Sequence, residues 1–195
     1  MVLPNHVALK IQNAYHFSDF EIAKMNYTLT VFAYEISKLI LLTAFFLSIG
    51  YIKEFFISIC ILLPLRSISG GLHMGHYFSC LICTFLFFCI PILFLNRIIL
   101  PYSVQLLTLF AATFSVFLIG PVPSKKRPLL TQKRYRITRL LSGGLMLFNS
   151  SILIYFPSFS CRNLWYWILI LQAVQLMIAR ILRKGAVYIK SEPIC

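Results

Sequence analysis

Acidic residues are nearly absent from this chain: five Asp and Glu stand against eighteen Lys and Arg in 195 residues. Charge of either sign is scarce, at 12% of residues, about half the roughly 25% of an average soluble domain. A hydrophobic fraction of 59% and a mean hydropathy of +0.85 complete the pattern. Together these exclude an ordinary soluble globule and leave a polytopic all-α membrane protein. The formal net charge of +13 points to nucleic acid in a soluble protein. In a membrane chain it marks cytoplasmic loops instead, so no nucleic-acid partner is expected. Glycine-rich nucleotide loops, internal repeats and low-complexity segments are also missing, and no cofactor is expected. His6, Lys10, Asp19, Glu21 and Lys24 interrupt the first thirty residues, which therefore do not read as a cleavable signal peptide. The six cysteines (60, 80, 83, 89, 161 and 195) sit mostly in or beside apolar segments, unlike a secreted disulfide framework. Buried free thiols are the plain expectation for Cys60, Cys89 and Cys161.

The apolar segments run over about 33–50, 55–65, 78–95, 102–119, 140–157 and 164–182. A full helical crossing needs about 20 residues. The stretch 55–65 is too short, stops at Pro64 and reads as the re-entrant arm of a hairpin turned at Gly50–Glu54. Ahead of these, Val7, Ile11 and Tyr15 lie near one helical face, which predicts an amphipathic surface helix over 1–17. Ser18 followed by Glu21 has the form of a capping box opening a second helix. The chain thus reads as one membrane domain over 1–195: an N-terminal amphipathic region (1–32), membrane segments (33–182) and a cytoplasmic tail (183–195). With the 120–139 loop inside, alternation puts fifteen of the eighteen positive residues on the cytoplasmic side. Only Lys53, Arg97 and Arg162 fall outside. If 55–65 does not cross, the N-terminus moves out and the count drops. Trp165, Tyr166 and Trp167, after the turn at Pro157–Arg162, suit an interfacial aromatic belt.

One polar stretch breaks this pattern: Arg66-Ser-Ile-Ser-Gly70-Gly71-Leu-His73-Met-Gly-His76-Tyr-Phe-Ser-Cys80. Polar side chains and irregular backbone at membrane depth are costly unless they line a cavity or site. A cysteine becomes a strong nucleophile when a neighbouring imidazole takes its proton. His76 lies four residues before Cys80, one helical turn away on the same face. His73 lies seven before, about 10.5 Å along a straight helix, and reaches Cys80 only if the glycines at 70, 71 and 75 let the chain fold back. Spacing alone therefore favours His76 as the base. The amides of Gly70 and Gly71 are candidate oxyanion donors, and Arg66 either binds a carboxylate or stiffens the turn. Three alternatives compete: Cys80 as core, the glycine pair as a packing turn, and His73, His76, Cys80 and Cys83 as a four-ligand zinc set. Cys83 already lies inside an apolar run, so no metal is assigned. A second constellation is Gly120-Pro-Val-Pro-Ser-Lys125-Lys126-Arg127-Pro128, whose prolines forbid helix. It serves either as a topology signal or as a dock for an acidic peptide or anionic lipid.

The string Arg66…Gly70-Gly71-x-His73…Cys80, followed after an apolar span by the Pro/Lys segment, resembles the accessory gene regulator B (AgrB) family. These are membrane cysteine endopeptidases of bacterial peptide quorum sensing. The resemblance implies Cys80 as nucleophile and His73, not His76, as its base. It implies as substrate an AgrD-like precursor with an amphipathic leader, a central cysteine or serine, and an acidic tail. Cys80 would attack the carbonyl before the tail and hold the rest as a thioester. The peptide's own cysteine or serine would then close a thiolactone or lactone. Homodimerisation in the bacterial cell membrane is a further implication. The Pro/Lys loop lacks the acidic residue of some relatives, so no third catalytic member is assigned. A small-peptide transporter or exporter without covalent chemistry is the alternative reading; it would tolerate Cys80→Ser, which a peptidase would not.

Lys125, Lys126 and Arg127 would hold the acidic tail. Charge reversal at these three positions raises the precursor concentration needed for half-maximal processing; unchanged processing at limiting precursor rules out docking there.

Overall fold

The computed structural model describes residues 18–70, 77–122, 132–159 and 161–182. All regular structure among them is helical. The predicted surface helix over 1–17 lies outside the described residues.

The chain divides into two compact units, Met1–Gly50 and Tyr51–Cys195. The first holds α1, Asp19–Ser48, 30 residues long. The capping box forms as the spacing predicts: the Glu21 N–H donates to Ser18 Oγ at 3.4 Å and the Ser18 N–H to Glu21 Oε2 at 2.9 Å. The helix is apolar on nearly every face from Phe32 to Leu47. At 1.5 Å per residue it is about 45 Å long, well beyond a hydrocarbon core of about 30 Å. Inside its apolar stretch, Lys38 pairs with Glu35 one turn earlier. Opposite charges at this spacing neutralise each other without leaving the helix.

The second unit is a bundle of five helices: α2 (Ile52–Ser69), α3 (Tyr77–Cys89), α4 (Tyr102–Ile119), α5 (Gln132–Tyr155) and α6 (Arg162–Leu182). A π turn, Ile90–Phe94, and a 3-10 turn, Leu95–Arg97, prolong α3. Pro91 lacks the N–H that a regular turn needs, which accounts for the widened ladder. The helix at the centre is α6, which packs on α2, α4, α5 and the prolonged end of α3. Hydrogen bonds between side chains tie the bundle where apolar contact gains nothing over lipid. Tyr166 Oη lies 2.7 Å from Thr108 Oγ1, Thr113 Oγ1 3.2 Å from Ser150 Oγ, and the Trp165 indole N–H donates to Asn149 Oδ1 at 3.2 Å. At one end the Asn163 amide donates to the carbonyls of Asn96 (2.6 Å) and Ile98 (3.1 Å), and Trp167 Nε1–H to Ile98 O (3.1 Å). At the opposite end α2 and α4 terminate side by side.

Among the described residues, five helices are long and apolar enough to cross a membrane: Glu21–Ser48, Tyr77–Arg97, Tyr102–Ile119, Gln132–Tyr155 and Arg162–Leu182. The expected spans therefore stand, with three corrections. The short segment does not stop at Pro64. α2 runs 18 residues to Ser69, because Pro64 sits on an exposed face while Leu65 and Ser69 are buried. Lys53, Glu54 and Arg66 near its ends keep it from reading as a span. Residues 132–139 are not loop: α5 begins at Gln132, so Lys133, Arg134, Arg136 and Arg139 ride on a helix that their own strong propensity favours. Tyr166 is not interfacial but buried, its hydroxyl satisfied by Thr108. Charge divides as the bundle's ends do. Arg66, Lys133, Arg134, Arg136, Arg139 and Arg180 lie toward the end where α2 and α4 terminate; Lys53, Arg97 and Arg162 lie toward the other.

Replacing Lys38 by Met leaves the Glu35 carboxylate without its cation in an apolar stretch. The single variant is expected to melt lower in detergent than wild type, and Lys38→Met with Glu35→Gln to recover most of the loss. Equal melting of single and double variants would show that the pair does not matter.

Candidate active site

The chain leaves α2 through a glycine because nothing else fits. The Gly70 N–H closes the helix on Arg66 O at 3.0 Å. Gly70 then turns to φ 76°, ψ −158°, a conformation essentially reserved for glycine. A Cβ there would stand 2.9 Å from Val122 O. The same device ends α4: Gly120 has φ 65°, and its N–H donates to Val116 O at 2.9 Å. The two departing chains then pair, the Val122 N–H donating to Ser69 O at 3.1 Å. The glycine-histidine stretch and the Pro/Lys segment, fifty residues apart in sequence, thus start from one point.

That point is anchored on α6. Ser69 Oγ donates to Leu65 O at 2.6 Å and accepts from Gln172 Nε2 at 3.0 Å. Gln172 and, one turn further along α6, Gln175 are 1% and 5% exposed. Sequence reasoning passed over both, and over Ser69. The available signal was two glutamines three residues apart in the apolar run Leu171-Gln-Ala-Val-Gln-Leu-Met177, where polar side chains are rare without a purpose.

Arg66 lies within the bundle, its guanidinium 5.7 Å from the centroid of the Phe87 ring on α3. This cation–π contact ties α2 to the helix that carries Cys80, which favours the stiffening role. Phe55 and Phe88, at 5.1 Å, join the same two helices nearer the other end. Cys80 is the fourth residue of α3 and is half-buried; its carbonyl accepts from Thr84 Oγ1 at 2.8 Å. Cys161 stands apart in the turn before α6. Burial, and then the Glu54 carboxylate, push its thiol up from the usual 9.0, which keeps it protonated and unreactive near neutrality. Gly71, His73, His76 and Lys125–Arg127 lie outside the described residues. The Gly70 N–H is taken up by Arg66 O at the end of α2. Among the described residues no three His, Cys, Asp or Glu side chains converge on a metal position. Beside the end of α4, Phe117, Arg136, Arg139 and Leu140 line an open cavity of about 420 Å³, with Arg139 Nε donating to Phe117 O.

Residues 5–176 match the family model described as Accessory gene regulator B. The chain belongs to the AgrB family. A "Putative AgrB-like protein" of Clostridium beijerinckii is 29% identical over 170 residues, covering 86% of this chain and 82% of that protein. No solved structure matches. The matched region contains both glycine-ended helices and Cys80. As an AgrB-family member with five membrane-crossing helices, the chain is a multi-pass membrane protein that takes part in quorum-sensing peptide processing with an AgrD pro-peptide.

Gly70→Ala forces a side chain into both a left-handed conformation and the Val122 carbonyl. A residue held there costs about 1–3 kcal/mol from backbone strain alone, so the variant is expected to melt well below wild type. Gly144→Ala, on α5 with nothing within 4 Å of the added methyl, serves as the control and should not lower the melting temperature. Equal melting of the two variants would show that the Gly70–Val122 approach is not tight.

Proposed function

We propose that this chain is a membrane-embedded cysteine endopeptidase that removes the acidic tail of an AgrD-type precursor and promotes cyclisation of the remainder. The observation that carries the reading is the backbone bond from Val122 to Ser69. It joins the origins of the two motif segments at the end of the bundle where α3 presents Cys80. His73 is three residues from Gly70 and four from Tyr77.

In this mechanism His73 takes the Cys80 proton, and Sγ attacks the carbonyl preceding the tail. The imidazolium returns the proton to the departing amine, the C–N bond breaks and the tail leaves. The rest of the peptide remains as a thioester on Cys80. The peptide's internal cysteine or serine then attacks that carbonyl, its proton passing to the Cys80 sulfur, and the ring leaves as a thiolactone or lactone. Exchange of one thioester for another is nearly neutral. The uphill step is the first, and removal of tail and ring draws it forward. His76 is the alternative base. Gly71 with Gly70 shapes the pocket, and Arg66 braces α2 against α3. Lys125, Lys126 and Arg127, with the cavity lined by Arg136 and Arg139, hold the acidic tail. The excess of positive residues at this end of the bundle supports a cytoplasmic orientation for it.

Intact-mass analysis of the purified protein with a synthetic AgrD-type precursor tests this directly. The expected result is a mass gain equal to the precursor minus its tail, absent from Cys80→Ala and sharply reduced in His73→Ala. An unmodified wild-type protein with intact precursor would overturn the peptidase reading in favour of transport. Loss of the adduct in His76→Ala but not in His73→Ala would exchange the base.

A further inference from the structure

Three polar atoms stand without hydrogen-bond partners on one stretch of α6: Gln172 Oε1 and both the Oε1 and Nε2 of Gln175. Their side chains are 1% and 5% exposed. Buried amides in a native protein are nearly always satisfied. Thr108, Thr113, Asn149, Ser150 and Tyr166 each have a partner, and Asn163, whose Oδ1 is also open, spends its Nδ2 on the carbonyls of Asn96 and Ile98; Gln175 has neither end of its amide paired. An apolar residue at 172 and 175 would pack without leaving an open valence, so packing does not explain the pair.

Their position does. Gln172 is fixed to Ser69, the last residue of α2. Gln175 lies three residues further along, past the point where α2 stops, and α6 continues to Leu182. The rise between the two is about 4.5 Å, a spacing that one extended segment laid beside Ser69–Gly70 can match. They offer two acceptors and one donor. A carboxamide has the hydrogen-bonding groups of a peptide link, so this set pairs with main-chain N–H and C=O groups whatever the side chains are.

We infer that Gln172 and Gln175 hold the backbone of the precursor peptide in extended form beside Ser69–Gly70, presenting its scissile region to the nucleophile. This rests on the peptidase reading and deepens it. The two glutamines are positioning residues: they bind main chain and take no part in bond-making. Gln172 Oε1 and Gln175 Oε1 accept from substrate N–H groups, and Gln175 Nε2 donates to a substrate carbonyl. The site reads backbone, so it tolerates sequence variation along the segment it holds.

The test uses full-length protein in nanodiscs and a synthetic AgrD-type precursor. Gln172→Met and Gln175→Met are made in the wild type, for turnover and melting, and in Cys80→Ala, for binding without chemistry. Each is expected to weaken binding by about tenfold, as for a lost buried hydrogen bond, with KM rising and kcat changing less. For Gln175→Met the melting temperature should hold or rise, because open valences have been removed; Gln172→Met also loses the bond to Ser69 and should melt lower. N-methylation of successive precursor amides adds a signature that a structural role would not produce. One N-methyl position should weaken binding to the Cys80→Ala protein yet cause no additional loss once Gln175 is Met. Unchanged binding in both variants overturns the inference while leaving tail release intact. A lower melting temperature with unchanged binding also overturns it, assigning the amides to ordered water within the bundle. Absence of tail release by the wild type overturns this inference and the peptidase reading together.

Discussion

Everything at the basic end of the bundle depends on two helices stopping at the same level. Both α2 and α4 end on a glycine with positive φ, and the backbone bond between Val122 and Ser69 locks the two ends together. Neither half of this arrangement is sufficient. Without the glycine at 70 the carbonyl of Val122 has no room to approach; without the approach, the two helix ends are not joined. Ser69 then transmits the position to α6 through Gln172. A short polar relay thus fixes where the two segments begin.

The bundle treats its polar groups in two ways. Toward the Asn163 end and through the middle, pairs such as Thr108–Tyr166 and Thr113–Ser150 close on one another. Interhelical hydrogen bonds of this kind are worth about 0.6–2 kcal/mol each in a membrane protein, and they set the register of α4, α5 and α6. Toward the Gly70 end the glutamines of α6 keep open valences. Asn163 Oδ1, at the other end, is open as well, while its Nδ2 holds the carbonyls of Asn96 and Ile98.

Much of this was legible in the sequence. Apolar length gave the spans, and 102–119 coincides with α4 to the residue. The Ser18–Glu21 box is local chemistry, which sequence reports well. Errors arose where tertiary burial overruled local rules. Pro64 was read as a stop, but a proline on an exposed face is tolerated when Leu65 and Ser69 behind it are packed. Tyr166 was grouped with its tryptophan neighbours, although only contact with Thr108 shows that it points inward. Of the candidate site, the residue types were visible but their partners were not. Sequence spacing contains no trace of Gly70 meeting Val122 or of Phe87 beneath Arg66, because both contacts cross between helices.

The brevity of α2 has a consequence for the surrounding lipid. Between Glu54 and Arg66 it offers only the apolar stretch Phe55–Leu65, about 16 Å along the axis, against a hydrocarbon core of about 30 Å. Its outward residues Phe56, Cys60 and Leu63 are exposed, so the mismatch is presented to acyl chains as well as to protein. The bilayer accommodates such a deficit by thinning and by letting the end charges reach toward the headgroups. The Gly70 turn would then sit at the floor of a local dimple rather than at the plane of the membrane. Were a precursor processed at Cys80, it and the water around it would reach the cysteine without entering bulk hydrocarbon.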